Sequence, residues 1–380
     1  MTARYLDIHL LQTIPYANLN RDDLGSPKSV RFGYADRTRV SSQCWKRAVR
    51  QEVETATGDV AKRTRRLPQA VQRRLIDRGW ELDLATYAAG QVMATLTTMA
   101  VKADGFKVDK ESGEAQVLFY LPERAFDELA DICEQQRERL TGLQSGTVKV
   151  KKGDAPLPAD AVRAALSRRN DVINLFGRML AELPGTNVDG AVQVAHAFTT
   201  HATDPQVDFF TAVDDLKADA DQIGSGHMNS AEFSTGTFYR YASVNLEDLV
   251  KNLGDQTTAV ELTTAFLSAF ITAMPQAKKN STAPFTVPDL AYVAVRANRP
   301  VSLASAFEAP VRAPLDSGYA EPSRRQLAEY ASRIYRLLGD RGLLYHGHAS
   351  IDDKALEHLG DACQSFDSLV AAAVDHVRTQ

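Results

Sequence analysis

The chain has 380 residues, of which 44% are hydrophobic, and this is enough for a substantial core and for more than one domain. Its formal net charge is -4, so the overall charge does not indicate a nucleic-acid-binding protein. The charge is unevenly distributed, however, because residues 1–78 contain 16 Lys and Arg against 8 Asp and Glu. This segregation predicts a basic face on an otherwise acidic protein; the alternative is charge that averages out over the folded surface.

Three isolated cysteines, Cys44, Cys133 and Cys363, show neither the spacing of a zinc site nor an even-numbered disulfide framework. The first eleven residues alternate in polarity and carry charges, so they do not resemble a signal peptide. No apolar run approaches the ~20 residues that span a bilayer. These features predict a cytoplasmic protein without structural zinc or disulfides.

The first predicted elements are a strand over residues 5–13 and, after two polar loops, a helix that begins near Ser41. Serine is a good N-cap, and the free amides and positive dipole of a helix N-terminus attract anions. Gln43, Lys46 and Arg50 follow at intervals that place them on one stripe of this helix, apart from its apolar stripe. The arrangement favours a row of phosphates over a single metabolite. The alternative interpretation is a solvated amphipathic helix.

Further along, the chain first becomes rich in predicted helices and then returns to strands. The predicted helices cover residues 87–103, 122–140, 160–175, 257–274, 323–338 and most of 353–377. The predicted strands cover residues 115–121, 234–246 and 290–297. Residues 202–234 are polar, acidic and glycine-containing, and a segment of this length without a core face is typical of a functional protrusion. Strands at both ends of the chain, separated by a helix-rich block, predict an α+β domain with a large insertion.

A series of unusual sequence strings then points to a family. The strings are Leu-Asn-Arg-Asp-Asp at 19–23, residues 39–50, Gly-Arg-Met at 177–179, Val-Asp-Gly-Ala at 188–191, Ala-His-Ala at 195–197, Thr-Thr-His at 199–201, residues 210–216, Phe-Ser at 233–234, Phe-Tyr-Arg-Tyr-Ala at 238–242, Ser-Leu at 302–303 and Ala-Phe-Glu at 306–308. In these strings and in their order, the chain resembles CasC, the backbone subunit family of the type I-E CRISPR surveillance complex Cascade.

The resemblance implies a right-hand shape. Residues 1–60, 181–198 and 235–380 would form a discontinuous RRM-like (ferredoxin-like) palm, residues 61–180 a helix-rich fingers insertion, and residues 199–234 a thumb β-hairpin. The resemblance also implies that several copies stack along one CRISPR guide RNA within a complex with other Cascade subunits. The thumb of one copy would kink the guide at intervals, and the stretches between kinks would pair with the target DNA strand.

The resemblance further assigns individual residues to the guide RNA. Those implied to contact its phosphates and sugars are Arg21, Lys28, Ser41, Gln43, Lys46 and Arg50. Arg178 and Met179 belong to the Gly-Arg-Met string, in which Met179 would wedge against a displaced base. Phe209 and Phe210 fall at an aromatic pair of the thumb. Such roles suit a carrier of many guides, because phosphate contacts and aromatic stacking do not depend on base identity.

A function of another class stays open, namely a metal-dependent endoribonuclease of a CRISPR effector that uses Asp36. Other candidate metal ligands are two carboxylate pairs and two histidine pairs: Asp22 with Asp23, Asp214 with Asp215, His196 with His201, and His346 with His348. The first histidine pair does not share a helical face, and the second lacks a completing acid or cysteine. The chain also lacks the motifs of nucleotide-binding loops and of serine hydrolases. We therefore predict a non-catalytic protein without a cofactor or metal, in which Asp36 orients Arg37 and Arg39.

Overall fold

The computed structural model describes residues 2–101, 106–109, 111–151, 153–212, 227–339, 341–352 and 356–378. Its chain divides into two compact units. The sheet unit comprises Met1–Val53 and Val192–Gln380, and the helical unit comprises Glu54–Ala191. The finer division into palm, fingers and thumb stays a prediction, and residues 213–226 of the predicted thumb, with Asp214 and Asp215, lie outside the described residues.

Strands and helices both contribute to the described chain, so the predicted α+β class is confirmed. The strands are β1 (Tyr5–Ala17), β2 (Ser29–Phe32), β3 (Ala35–Val40), β4 (Ala61–Thr64), β5 (Phe119–Pro122), β6 (Val192–Val194), β7 (Ala197–Thr199), β8 (Gln206–Ala212), β9 (His227–Asn245), β10 (Leu290–Arg296), β11 (Leu343–Ser350) and β12 (Asp361–Ala362). The helices are α1 (Ser42–Thr57), α2 (Leu67–Asp77), α3 (Leu82–Met99), α4 (Glu123–Gln135), α5 (Arg137–Gln144), α6 (Ala159–Ser167), α7 (Asp171–Phe176), α8 (Leu246–Leu253), α9 (Gln256–Thr272), α10 (Lys279–Thr282), α11 (Ala320–Leu338) and α12 (Phe366–Arg378). Short 3-10 turns cover Pro184–Thr186 and Ala304–Phe307.

The sheet unit contains one mixed sheet with the order β12-β11-β10-β1-β9-β7-β3-β2, and β6 and β8 also pair with β9. Strand β1 lies near its centre and pairs antiparallel with β10 and β9 along the same residues. It runs to Ala17, beyond the predicted end at residue 13. The register shifts between Ile14 and Ala17, around Pro15, because proline has no N–H to donate to the ladder and is tolerated at a bulge.

Helices cover both faces of this sheet. Leu11 of β1 packs into a cluster with Leu327 of α11, whereas Ile14 packs with Trp45 of α1. Because successive side chains point to opposite faces of a strand, α11 and α1 cover opposite faces. None of the helices in the described residues is long and apolar enough to cross a membrane.

The helical unit has a core of its own, formed chiefly by apolar side chains of α2, α3, α4 and α6. Two helices predicted as continuous are broken. The predicted helix over 122–140 forms α4 and α5, and that over 160–175 forms α6 and α7. Asn170 begins the second of the latter pair, because its Oδ1 accepts a hydrogen bond from the Ile173 N–H at 3.1 Å.

The prediction that residues 353–377 are mostly helical is also wrong. Only α12, from Phe366 to Arg378, is helical in its described part, and β12 precedes it. His358 and Gly360 adopt positive φ angles of 73° and 69°, a conformation that a right-handed helix cannot contain.

Candidate nucleic-acid interface

Helix α1 is anchored to the sheet by its apolar stripe. Trp45 is buried, and the Arg240 guanidinium of β9 lies 3.7 Å from the centre of its ring. Arg240 also donates to Gln12 Oε1 at 2.6 Å and to the Phe270 carbonyl. Although burial lowers the pKa of Arg240 to about 9, these partners suit a charged guanidinium. The stripe of Gln43, Lys46 and Arg50 therefore lies on a fixed helix, with Gln43 exposed, Lys46 and Arg50 half-buried, and Nη1 of Arg50 buried.

The N-terminus of α1 is capped as the sequence predicts. Ser41 precedes the helix, and its Oγ accepts a hydrogen bond from the Cys44 N–H at 3.3 Å. The Ser42 N–H donates to Nδ1 of His196 at 2.8 Å. Because two amides of the first turn already have acceptors inside the protein, the backbone offers less to an anion than we predict from the sequence. Basic side chains are left to carry most of the attraction.

Several cations do gather at this end of the helix. Burial lowers the pKa of His196, and the nearby positive charges of Arg39 and Lys28 lower it further. Burial raises the pKa of the Cys44 thiol, against the opposing effect of Arg47 and Lys28. The positive charge of Lys28 thus acts on both His196 and Cys44, and Arg39 and Arg47 each act on one of them.

Asn20 connects the loop that contains Arg21 both to the N-terminus of α1 and to Lys28. The Asn20 side chain accepts from the Ser41 N–H, and the Asn20 carbonyl accepts from the Lys28 N–H, each at 2.9 Å. Arg21, which follows Asn20, is exposed, as is Gln43. We call the resulting patch the α1 surface, and its residues are Arg21, Lys28, Arg39, Gln43, Lys46, Arg47 and Arg50. Ser41, also a predicted guide contact, is buried.

Sequence reasoning missed Arg39 and Arg47 as members of the α1 surface. Arg39 lies on β3, in a segment that the sequence analysis treats as a polar loop. A signal for Arg47 was present, because it follows the predicted contact Gln43 by four residues and so lies on the same side of the helix.

In the helical unit, the Gly-Arg-Met string forms a tight, well-bonded turn. Gly177 ends α7 with a φ of 80°, and a Cβ there would lie 2.8 Å from the Gly190 nitrogen. Arg178 forms an antiparallel bridge with Val188. Glycine is required by the positive φ and by the close approach of the two segments. Met179 follows with 81% of its surface exposed, which suits a side chain that contacts a ligand.

Arg178, in contrast, is buried, and burial lowers the pKa of its guanidinium to about 10. The guanidinium donates to the Thr186 carbonyl at 2.7 Å and 3.0 Å, to Arg168 at 2.7 Å and to Ser167 at 3.3 Å. RNA binding by Arg178 stays a prediction, because the described contacts of its guanidinium are with backbone carbonyls of the protein. Its geometry is that of a positioning residue for the turn that presents Met179.

Phe209 and Phe210 lie on β8, which pairs with the first third of β9 in antiparallel register. Phe209 is 72% exposed and Phe210 is 43% exposed. As neighbours on one strand they point to opposite faces of the strand pair. Two exposed aromatic side chains on a strand pair are available for stacking.

Asp36 is the residue on which the alternative endoribonuclease function depends. Asp36 is exposed on β3 and stands opposite Arg31. The prediction that it orients Arg37 is wrong. Arg37 points to the buried face, where it donates to the Thr199 and Phe307 carbonyls at 2.9 Å and 3.0 Å.

Several of the other candidate metal ligands have structural partners. Asp22 Oδ1 accepts from the Leu24 and Ser26 N–H groups at 2.9 Å each, so it shapes a turn. His201 uses both ring nitrogens, at the Ala202 carbonyl and the Thr237 N–H, and His348 does the same elsewhere. Within the described part of the chain, no three His, Cys, Asp or Glu side chains form a group that could hold a metal ion.

Comparison with known proteins identifies the class. The family of CT1975-like proteins (Cas_CT1975) matches residues 6–372, so this chain belongs to that Cas family. A chain of a structure titled "CRISPR RNA-guided surveillance complex, pre-nicking" is 47% identical, with a TM-score of 0.90, and the match covers 98% of this chain and 100% of the other. A second, titled "CRISPR RNA-guided surveillance complex", is 42% identical with a TM-score of 0.79, over 98% and 99% of the two chains. Curated protein sequences give no match. The resemblance to a Cas backbone family that the sequence strings indicate is confirmed.

Proposed function

We propose that this chain is a non-catalytic backbone subunit of a type I-E Cascade complex that binds CRISPR guide RNA. The observation that carries the proposal is the α1 surface, where Lys28, Arg39 and Arg47 surround the capped end of a helix that the sheet holds in place. Contacts of this kind neutralise phosphates and do not read base identity. A subunit with such a surface can carry guides of any sequence.

The strand order supports an RRM-like palm. Strands β10, β1, β9 and β7 lie side by side in the sheet in that order. Numbered by their order in the chain, these four strands have the sheet order 4-1-3-2. Helix α1 lies in the chain between β1 and β7, and α8 and α9 lie between β9 and β10. This order matches the βαββαβ pattern of a ferredoxin-like domain, in which the helical unit would be an insertion that begins within α1, and β8 with the first residues of β9 an insertion between the second and third strands.

Exposed apolar side chains support the proposed kinking of the guide. Met179, Phe209 and Phe210 are all exposed, although burial of such side chains is normally favourable. A displaced base exposes an apolar face that a flexible methionine or a ring can cover. In this proposal copies of the chain stack along the guide beside other Cascade subunits, and the stretches between kinks pair with the target DNA strand.

The proposal is tested by removing two cations of the α1 surface. The double change Arg21→Ala and Lys46→Ala should weaken binding to two unrelated guide RNAs equally. Each lost phosphate contact lowers the slope of log K against log salt by ~0.7 for a single strand, so the slope should fall by roughly 1.4. Fluorescence anisotropy of labelled RNA over a salt series gives both quantities.

The matched control is Arg325→Ala with Arg333→Ala. Both arginines are exposed on α11, which covers the other face of the sheet, and each has a carboxylate neighbour on its own helix. This variant should bind both RNAs as the unaltered chain does. A loss of affinity that depends on the guide sequence, or an equal loss in the control, would contradict a phosphate-binding role for the α1 surface.

A further inference from the structure

A cavity of about 340 Å³ opens beside α1, next to the α1 surface. Its lining residues are Cys44, Arg47, Ala48, Gln51, Pro275, Gln276 and Ala277. The helix contributes one wall, and the segment that follows α9 contributes the other. A volume of this size lies within the range of small-ligand pockets. The cavity therefore has room for one nucleotide.

The lining combines an apolar floor with polar and cationic groups at the rim. Ala48, Pro275 and Ala277 supply apolar surface, Gln276 supplies an exposed amide, and Arg47 supplies an exposed guanidinium. Bases of single-stranded RNA are held by apolar or planar surfaces and by hydrogen-bonding groups at their edges. A guanidinium can meet a phosphate or lie flat on a base.

The electrostatic environment suits an anion. Arg47 and Lys28 both place positive charge near Cys44, one of the lining residues. The segment beyond the cavity continues this character, because Lys278 and Lys279 follow Ala277 directly. A polyanion that follows the α1 surface would meet further positive charge past the cavity rather than repulsion.

The same segment exposes an aromatic ring under backbone constraint. Lys278 and Ala283 adopt positive φ angles of 56° and 41°, which non-glycine residues rarely do. Phe285 follows with 64% of its surface exposed. Its backbone is held in place by the neighbouring Thr286, whose carbonyl accepts from the Gln12 side chain at 2.7 Å. An exposed ring on a fixed backbone is a stacking platform for a further base.

We propose that this cavity holds one nucleotide of the bound RNA, with its base against Ala48 and Pro275 and its phosphate at Arg47. This inference rests on the proposed function, because it adds to the α1 surface, which attracts phosphates, a neighbouring site that also holds the base of one nucleotide. The Gln276 Nε2 donates to the Met274 carbonyl at 2.9 Å, which leaves its Oε1 and its second N–H to meet the edge of any base.

Two single changes test the proposal. Arg47→Ala removes the cation, and Ala277→Trp fills the cavity from its half-buried edge without altering charge. Each should weaken binding of the full chain to single-stranded RNA by about tenfold, in the lower part of the range for one stacked base. Only Arg47→Ala should also lower the salt slope, by roughly 0.7. Arg325→Ala on α11 is the matched control, and thermal unfolding checks that each variant folds.

The outcomes separate this inference from the proposed function. If the unaltered chain fails to bind single-stranded RNA, the proposed function itself is wrong. If it binds, and Arg47→Ala and Ala277→Trp both bind as tightly as the control, the α1 surface stands and the cavity is not a nucleotide site. A loss confined to Arg47→Ala would also overturn the cavity proposal, because it would show charge attraction alone. If Ala277→Trp does not fold, RNA in which single bases are replaced by 2-aminopurine decides the question. One position should then change in emission with the unaltered chain and not with Arg47→Ala, and equal emission with both would refute the proposal.

Discussion

Replacing Arg178 tests whether a basic residue of the Gly-Arg-Met string acts on RNA or on the protein. Its guanidinium makes four hydrogen bonds to three backbone carbonyls of the helical unit. Bonds that involve a charged group contribute ~1.5–3 kcal/mol each, and the burial of the charge offsets part of that sum. Arg178→Ala should therefore lower the free energy of unfolding of the helical unit by about 3–4 kcal/mol, equivalent to roughly 10 °C in Tm for a unit of this size.

A second variant distinguishes charge from geometry. Arg178→Lys keeps the positive charge, but an ammonium group cannot reproduce a planar fork that reaches three carbonyls. It should lose most of the same stability. Both variants should retain the salt slope of RNA binding, because Arg178 does not meet phosphate in this arrangement. Both should also weaken the ordered kinks of the guide, because the turn that presents Met179 is loosened.

The measurements are thermal unfolding of the full chain, RNA binding over a salt series, and nuclease footprinting of the guide in the assembled complex. The reasoning would be refuted by an Arg178→Ala variant with an unchanged Tm and a reduced salt slope. That result would mean that the guanidinium leaves its carbonyl partners and binds phosphate. Rescue of the Tm by Arg178→Lys would likewise contradict the role of the fork.

Three further predictions follow from the same structure. Asp36→Ala should leave RNA cleavage by the assembled complex unchanged; Mg²⁺-dependent cleavage that disappears in this variant would favour the endoribonuclease. Phe210→Ala should weaken RNA binding by up to ~1–3 kcal/mol per site, the range for one lost stacking contact. Deleting residues 204–229 should abolish the periodic nuclease footprint of the guide, while circular dichroism of the variant shows a folded sheet unit. An unfolded deletion variant or a persistent periodic footprint would mean that this segment is not the thumb. Burial lowers the pKa of His9 and His201, so the unfolded chain takes up protons first as the pH falls. Their contribution to the free energy of unfolding is complete above about pH 6.5 and should fall by up to ~1.4 kcal/mol per pH unit per group below it, which urea titrations at two pH values would detect and a flat profile would contradict.

Periodic patterns made some elements predictable from the sequence. The cap and the stripes of α1 were visible because a helix repeats its faces every three to four residues. The alternation over residues 234–246 likewise identified the part of β9 that pairs with β1. Both signals are local, so they survive without knowledge of the tertiary structure.

Features that depend on tertiary contacts could not be predicted from the sequence. The family string places Arg178 among predicted RNA contacts, and only the fold shows the three backbone carbonyls that accept from its guanidinium. The helix breaks near residues 136 and 169 were not predicted either. The apolar spacing continues across each break, so periodicity alone does not reveal where one helix ends and the next begins. Arg37 was paired with Asp36 by sequence adjacency, although neighbours on a strand face opposite ways.

The length of β9 connects the predicted thumb to the rest of the sheet unit. One strand of 19 residues pairs with β8 through its first residues and with the central strand β1 through the remainder. Shifting a strand register by one residue moves every side chain to the other face. The ladder with β1 fixes which way each residue of β9 faces, and the seven pairs between β8 and β9 then place Phe209 on the face of its partner Ser230. Both registers must hold for Phe209 to keep its face, so a change that slips β8 against β9 should disturb the predicted stacking as much as Phe210→Ala does.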